Sequence, residues 1–338
     1  MSVKSRLLGC LYGQAVGDAL GTRYEFLNAA VTSSKVRKDC REDGFLPILG
    51  GGPFNAAPGQ VTDDTEMAMA MARSLVRHGT YDHTDVAHSY YRWCRSGPFD
   101  IGTTTATALR CELGLEKQKI REQIEENARK SNRQSLSNGC LMRISPLAIA
   151  GHTWDTAVLQ QTAKLNSRLT NPNPITQDAV SVYVTSIKTL ILTGDNRQAY
   201  QAAKDSASTE TVKQLLETAS KQAIPVKLSD SDQWIEGDRQ AMGYVGVALQ
   251  SAFYELLHGT SFHDSLKAAV MRGGDTDTNG CIVGALIGSY WGVEAIPNQW
   301  KETVVQAKPD RATRFPDVAL HDLEEVALQL AQCKEPTG

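Results

Sequence analysis

The chain has 338 residues, a formal net charge of −3 and a hydrophobic content of 41%. This composition suffices for a buried core and carries no excess positive charge that would attract nucleic acid or an anionic membrane. Seven cysteines, an odd number without a CxxC pair, indicate reduced thiols in a cytoplasmic protein, and Gly9, Gly13 and Asp18 interrupt the first apolar stretch, so we expect no secretory signal.

Helical periodicity dominates the chain, because alanine, leucine and charged residues recur at three- and four-residue spacing. Alternating β-branched runs with hairpin turns are weak by comparison. We predict helices over residues 5–20, 62–78, 84–95, 103–112, 140–150, 174–193, 239–258, 261–271, 277–291 and 317–332. The sequence therefore predicts an all-α fold.

Glycine and proline mark the loops between these helices. Residues 43–60 are rich in both and cannot form a regular element, and they lead directly to Thr62. Residues 223–237 are polar, with repeated Ser and Asp, and predict an exposed connection. Pro172 and Pro174 force a turn before the helix that begins near residue 174.

Two predicted helices carry glycine at every fourth position. The glycines are Gly9, Gly13, Gly17 and Gly21 in the first helix and Gly280, Gly284, Gly288 and Gly292 in the second. Residues four apart share a helix face, and each interior glycine costs about 1 kcal/mol relative to alanine, so close packing must compensate. We predict that the two helices pack together, within a single domain over residues 1–338 whose tail frays after about residue 333.

Two acidic clusters of similar composition lie more than two hundred residues apart. They are Thr62-Asp63-Asp64-Thr65 and Asp275-Thr276-Asp277-Thr278. Carboxylate and hydroxyl oxygens are the ligands that Mg²⁺ and Mn²⁺ prefer, and four carboxylates in one pocket would need cations to stay ionised. Helix capping explains a single cluster equally well. The sequence predicts a metal site if both clusters reach one cavity.

Other segments offer further polar groups. Asp18, inside the first glycine helix, either serves a site or caps a neighbouring helix, and Glu25 follows in a loop. Asp100 is either an N-cap or a catalytic carboxylate. Residues 137–139 (Ser-Asn-Gly) precede an apolar helix whose free N–H groups suit an anion.

Several other chemistries find no support in the sequence. Residues 275–280 match the first half of an EF-hand loop, but Leu286 occupies the position that requires glutamate. The chain contains no GxxxxGK, GxGxxG, HExxH or GxSxG motif. Nucleotide-binding P-loops, dinucleotide folds, zinc proteases and serine hydrolases are therefore disfavoured.

Together these segments resemble the ADP-ribosylglycohydrolase family, of the type that includes dinitrogenase-reductase-activating glycohydrolase. The matching stretches, in the family's order, are residues 17–21 with Glu25, 61–65, 99–104, 137–139 with Met142 and Arg143, and 273–278. The resemblance implies a compact orthogonal multi-helix bundle with a binuclear Mg²⁺ or Mn²⁺ centre.

The resemblance also implies roles for individual residues. The implied metal ligands are Thr62, Asp63, Asp64, Asp275, Asp277 and Thr278. The implied catalytic residues are Asp100, Glu25, Asp63 and Asp277, with Glu25 on a loop that gates the substrate and Asp100 beside the scissile bond. The implied substrate contacts are Gly102, Thr103, Ser137, Asn138, Gly139, Met142, Asn171 and Tyr244. Asn171 departs from the family pattern, which often has histidine there.

The function implied is metal-dependent hydrolysis of the N-glycosidic bond between ADP-ribose and a protein side chain, most simply arginine, which reverses mono-ADP-ribosylation. One alternative is a protein that neutralises a cognate ADP-ribosyltransferase by contact. Another is a two-metal hydrolase of free ADP-ribose derivatives or nucleotides. The sequence does not choose between the two metals or name the target protein.

Overall fold

The computed structural model describes residues 1–228, 233–308 and 315–337, and sixteen α-helices contain most of these residues. The helices are α1 (Val3–Gly21), α2 (Ala29–Asp39), α3 (Asp63–His78), α4 (His83–Arg95), α5 (Thr103–Ala108), α6 (Lys117–Ser131), α7 (Ser145–Ala150), α8 (Thr156–Arg168), α9 (Pro174–Thr193), α10 (Asn196–Ser206), α11 (Glu210–Ala219), α12 (Val245–His258), α13 (Phe262–Met271), α14 (Thr276–Trp291), α15 (Asn298–Val305) and α16 (Leu323–Leu330). Two antiparallel strands of two residues each, β1 (Val226–Lys227) and β2 (Trp234–Ile235), accompany them. The all-α prediction is confirmed.

The two glycine stripes form the centre of the fold, because α1 and α14 pack antiparallel with their backbones in contact. A β-carbon on Gly17 would lie 1.9 Å from the carbonyl oxygen of Gly280, and one on Gly13 would lie 2.1 Å from that of Gly284. Such distances leave room for hydrogen only, so the predicted pairing of the two helices is confirmed. The pairing brings the start of α14 beside the end of α1.

Apolar helices surround this central pair. Helices α9, α12 and α13 pack on α14, and α16 packs on α1. Tyr183 of α9 is fully buried and donates its hydroxyl to the carbonyl oxygen of Ile282, 2.8 Å away. Each large apolar side chain buried in this way contributes about 1.5–3 kcal/mol, so the pair is fixed by its neighbours as well as by its own contact.

Four predicted helices begin later or end earlier than expected by four residues or more. Helix α5 ends at Ala108 and not at residue 112. Helix α7 begins at Ser145 and not at residue 140, because Pro146 fits only the first turn of a helix. Helix α12 begins at Val245 and not at residue 239, because Tyr244 pairs with Ser137 in an isolated β-bridge. The C-terminal helix spans Leu323–Leu330 and not residues 317–332.

Six helices were missing from the sequence prediction, namely α2, α6, α8, α10, α11 and α15. Helix α6 shows why: its apolar face consists of Ile120, Ile124 and Ala128 alone among charged residues, and all three are buried. A face one residue wide gives a weak periodic signal in sequence.

The loop predictions agree with the described residues. Residues 43–60 contain no helix, and the connection over 223–237 carries the two short strands. The polar residues 229–232 of that connection lie outside the described residues. Near the C-terminus, the Lys334 N–H donates to the Gly79 carbonyl oxygen at 2.8 Å, and the Glu335 carboxylate accepts the Asp155 N–H at 2.7 Å.

Within the described parts of the chain, no helix is both long enough and apolar enough to cross a membrane.

Candidate metal centre

The Asp18 side chain of α1 accepts hydrogen bonds from the start of α3. Its carboxylate is fully buried and accepts the backbone N–H groups of Thr62 and Thr65, each at 3.0 Å, together with the Thr62 hydroxyl at 3.0 Å. The first N–H groups of a helix have no partner within the helix, and Asp18 supplies one. Burial nevertheless raises the pKa of Asp18 to about 6. Of the two interpretations of Asp18, the structure supports the capping one.

The first turn of α3 presents two carboxylates above this cap. Asp63 accepts the backbone N–H of Gly102 at 3.2 Å, which ties α3 to the start of α5. Asp64 is fully buried and accepts the Thr62 hydroxyl at 2.8 Å through one oxygen, while its other oxygen has no hydrogen-bond partner. A buried carboxylate oxygen without a hydrogen-bond partner lowers the stability of the fold unless a ligand binds to it.

The start of α14 supplies the second pair of carboxylates. The Thr276 hydroxyl donates to the carbonyl oxygen of Gly21 at 2.7 Å and so anchors this turn on α1. Asp275 accepts the side-chain amide of Asn138 at 2.7 Å, and Asp277 accepts the N–H of Thr278 at 2.8 Å. The antiparallel glycine pair therefore determines where both carboxylates lie.

These carboxylates converge with Glu25 and Asp100. Glu25, Asp100 and Asp277 each offer an oxygen within 4.8 Å of the other two. Burial, together with repulsion from Asp100 and Asp275, raises the pKa of Glu25 to about 9. Burial and repulsion from Glu25 and Asp64 likewise hold the pKa of Asp277 well above its usual range.

Burial and charge repulsion also raise the pKa values of the two carboxylates of α3. Burial and the neighbouring Asp100 and Asp64 raise the pKa of Asp63 well above its usual range, and burial with Asp18 and Asp275 raises that of Asp64. Asp63 of the first cluster and Asp275 and Asp277 of the second line the same cavity, so the two distant clusters meet.

This group of residues fits a hard divalent cation. The donors are all oxygens, as Mg²⁺ and Mn²⁺ prefer. One oxygen of Glu25 and one of Asp64 are buried without a hydrogen-bond partner. A bound cation would reverse the upward pKa shifts, because it stabilises the ionised form of each neighbouring carboxylate. The acidic triad of Glu25, Asp100 and Asp277 could hold a metal ion.

A cavity of about 350 Å³ opens above these carboxylates. Twelve of the predicted site residues line it, namely Glu25, Asp63, Asp100, Gly102, Thr103, Ser137, Asn138, Gly139, Met142, Asp275, Asp277 and Thr278. None of the described residues that line the cavity is a lysine or an arginine. The cavity is therefore strongly acidic on its own.

Four predicted site residues, Thr62, Asp64, Asn171 and Tyr244, lie behind the cavity lining. Asn171 donates its side-chain amide to the Ser137 carbonyl oxygen at 3.1 Å and to the Ser137 hydroxyl at 2.9 Å. Tyr244 forms a β-bridge with Ser137. Asn171 and Tyr244 thus hold the loop over residues 137–139, and their direct contact with substrate stays a prediction.

Sequence reasoning missed other cavity residues, including Phe26, Thr104 and Met242. Phe26 has a left-handed backbone conformation, with φ at 63°, and its N–H donates to the Gly274 carbonyl oxygen at 2.8 Å. Its place next to Glu25 is the one sequence feature that could have drawn attention to it. Thr104 lies in α5 within the matching stretch over residues 99–104, which was its signal in the sequence. The contribution of Met242 depends on loop packing that the sequence does not reveal.

Comparisons with known proteins agree with this geometry. The model of the family described as ADP-ribosylglycohydrolase matches residues 1–335. The chain is 29% identical to ADP-ribosyl-(dinitrogen reductase) glycohydrolase of Rhodospirillum rubrum, over 88% of this chain and 90% of that protein. It is 27% identical to ADP-ribosylarginine hydrolase Tri1 of Pseudomonas putida (strain GB-1), over 88% of this chain and 74% of that protein.

A solved structure named ADP-ribosylglycohydrolase-related protein complex shares the fold. It superimposes with a TM-score of 0.74 at 25% identity and covers 98% of this chain and 99% of its own. With a family model matching nearly the whole chain and an acidic cavity in place, this protein belongs to the ADP-ribosylglycohydrolase family and is an enzyme of that family.

Proposed function

We propose that this enzyme hydrolyses the N-glycosidic bond between ADP-ribose and an arginine side chain of a modified protein, and so reverses mono-ADP-ribosylation. The observation that carries the proposal is the convergence of Asp63, Asp277, Glu25 and Asp100 on one cavity of about 350 Å³. That volume lies within the range of small-molecule sites. Similarity to a Pseudomonas putida protein named for ADP-ribosylarginine favours the arginine linkage.

Two divalent cations, Mg²⁺ or Mn²⁺, complete the site in this proposal. Asp63, Asp64 and Asp277 would hold them, with Thr62, Asp275 and Thr278 as further oxygen ligands. When bound, such cations polarise substrate oxygens and lower the pKa of a coordinated water to near neutrality. The unpartnered buried oxygen of Asp64 supports its place in this set.

The acidic residues also suit the reaction electrostatically. Glycosidic cleavage passes through an oxocarbenium-like state with positive charge on the sugar, and surrounding carboxylates stabilise that charge. Asp100 lies within 4.8 Å of Glu25 and Asp277, measured between carboxylate oxygens. From this position Asp100 would orient the departing guanidine or carry its proton, and Glu25 would close the cavity over the substrate.

The remaining lining would hold the ADP-ribose. Asn138, Gly139 and Cys140 form a 3₁₀ turn that follows Ser137, and this segment lines the cavity together with Thr103 of α5. Main-chain N–H groups in such turns bind phosphate oxygens well. Asn138 is bonded to Asp275 by its side chain, so the turn is placed directly against the acidic cluster. We infer that the diphosphate lies along residues 137–139.

The decisive assay compares hydrolysis of an arginine-ADP-ribosylated protein with that of ADP-ribose 1″-phosphate and simple nucleotides, before and after EDTA. We expect turnover of the arginine-linked substrate, loss of it in EDTA and recovery with Mg²⁺ or Mn²⁺. Unchanged turnover after verified metal removal would contradict the metal-dependent reaction. Asp277→Ala separates catalysis from simple binding, because a protein that acted on a transferase by contact would keep its effect.

A further inference from the structure

Three phenylalanines from separate loops form a continuous aromatic strip beside the cavity. The Phe54 ring lies 6.2 Å from the Phe26 ring and 5.6 Å from the Phe99 ring, measured between centroids, in edge-to-face arrangements. Phe26 lines the cavity and is 55% exposed, while Phe54 and Phe99 are half-buried. We call Phe26, Phe54 and Phe99 the aromatic strip.

Each end of the strip is the chain neighbour of a cavity carboxylate. Phe26 follows Glu25, and Phe99 precedes Asp100. Glu25 is 6% exposed and one of its oxygens has no hydrogen-bond partner, although it faces the cavity. Phe26, at one end of the strip, and the unpartnered Glu25 carboxylate therefore border the same cavity.

The strip is held rigidly in place. Phe54 sits on a tight turn in which the Gly51 N–H donates to the Ala56 carbonyl oxygen at 2.7 Å and the reverse bond measures 3.0 Å. Phe26 adopts a φ of 63°, which is strained for a bulky residue, and its N–H bonds to Gly274. Strained backbone conformations are found at binding sites, where the surrounding structure maintains them. Exposed apolar patches are also common at binding sites.

Aromatic rings next to carboxylates suit a flat, weakly hydrated cation. A guanidinium group has these properties, since it stacks on aromatic rings and pairs with carboxylates. The acidic cavity lacks any basic lining residue among those described, so no lysine or arginine side chain of the lining competes for the carboxylates. A neutral linkage, such as one through serine, would gain little from this arrangement.

We propose that the aromatic strip is the subsite for the guanidinium and aliphatic stem of the target arginine, and that it makes the enzyme prefer arginine-linked over neutral linkages. This inference rests on the proposed function, because the guanidinium is that of the scissile linkage. ADP-ribose itself occupies the cavity and makes no essential contact with Phe54. Loss of the Phe54 ring therefore weakens binding of the linked peptide and leaves binding of ADP-ribose alone unaffected.

Kinetics with Phe54→Leu and Phe26→Leu test this directly. We expect KM for an arginine-linked peptide to rise about threefold to tenfold with kcat little changed, as loss of one cation–π contact predicts. The inhibition constant of ADP-ribose should not move in Phe54→Leu, since Phe54 does not line the cavity. Phe54→Tyr, which keeps a ring, should restore the KM, and Trp234→Leu, an exposed aromatic residue outside the cavity lining, is the matched control. A parallel rise in the ADP-ribose constant, or no rise in KM, would overturn the inference.

A binding measurement separates this inference from the proposed function. Agmatine, which carries a guanidinium, and butylamine, which does not, are titrated into the ADP-ribose complex of wild type and Phe54→Leu, with thermal melts to confirm folding. Tighter binding of agmatine to wild type supports the strip, and equal binding to both proteins, or no preference over butylamine, refutes it. If agmatine binds through the strip but the arginine-linked peptide is not hydrolysed, the proposed function fails and the subsite remains.

Discussion

The glycine pair of α1 and α14 and the cavity at its end use burial in opposite ways. Along the pair, backbone meets backbone: Gly9, Gly13 and Gly17 face Gly288, Gly284 and Gly280 with no side chain between them. At the cavity, Glu25 and Asp277 of the lining and Asp64 directly behind it are buried with raised pKa values, and Glu25 and Asp64 each leave one oxygen unpartnered. One region is closely packed, and the other keeps charges that repel each other.

The contrast shows how a folded chain tolerates an unfavourable site. Burying like charges opposes folding, so the stability must come from elsewhere, and the tightly packed pair that positions α14 is the obvious source. Stability and function are therefore divided between neighbouring segments of the same two helices. Substitutions in the glycine pair should lower stability, whereas substitutions of the cavity carboxylates should lower activity without lowering stability.

The largest effect is expected from breaking the glycine pair. Gly17→Val would place a side chain where even a β-carbon would lie 1.9 Å from the Gly280 carbonyl oxygen. Backbone cannot yield as a side chain can, so we expect destabilisation by more than about 3 kcal/mol or failure to fold. Urea unfolding measures it. Gly102→Ala, at a glycine with nothing within 4 Å, should leave the unfolding midpoint unchanged. Near-equal midpoints for the two variants would refute the role of the pair.

Neutralising a cavity carboxylate should show the reverse pattern. Asp277→Asn removes a proposed metal ligand, so we expect at least about 100-fold loss of kcat/KM. The same substitution removes a buried charge that repels Glu25 and Asp64. Without metal, its thermal midpoint at pH 8 should equal or exceed that of wild type. Asp205→Asn, on the exposed face of α10, serves as control for both readouts. Retained activity, or a clear fall in the midpoint, would contradict this division of roles.

The cavity also predicts how pH affects the metal-free protein. Glu25 has a folded pKa of about 9, raised from 4.5, so between these values the folded state holds a proton that the unfolded state releases. Stability then falls as pH rises, by up to about 1.4 kcal/mol per pH unit for each such group. Melting in EDTA should drop from pH 7 to pH 9, and Mg²⁺ or Mn²⁺ should restore more stability at pH 9 than at pH 7. A flat profile would mean that burial and the neighbouring carboxylates do not raise the pKa of Glu25.

A smaller effect should follow from loosening the loop behind the cavity. Asn171→Ala removes both side-chain hydrogen bonds to Ser137, so residues 137–139 would be held less firmly. We expect KM to rise about threefold to tenfold, in line with the loss of about 1 kcal/mol of hydrogen bonding. Steady-state kinetics would show this. If KM stays constant while kcat collapses, Asn171 acts on the reaction itself.

Much of the scaffold follows from local patterns. The four-residue glycine repeats identified both central helices and their pairing, because only backbone contact justifies so many helical glycines. The acidic clusters were visible for a similar reason, since four carboxylates in one pocket would need cations to stay ionised. Helix α6 was missed because three apolar residues in fifteen give little periodicity, although all three are buried.

The rest depends on contacts between distant segments. Asp18 could be read in two ways, and only its bonds to Thr62 and Thr65 identify it as the cap of α3. The aromatic strip joins residues 26, 54 and 99, which share no motif or spacing. Contacts of this kind arise from where the helices place their loops, which no local pattern encodes.

The most direct measurement of the central claim is a Mn²⁺ titration of the metal-free enzyme followed by EPR. We predict a spectrum of two magnetically coupled ions, because Asp63, Asp275 and Asp277 line one cavity, and we predict loss of that coupled spectrum in both Asp63→Asn and Asp277→Asn. Isolated Mn²⁺ signals, or a coupled spectrum that survives either substitution, would contradict it.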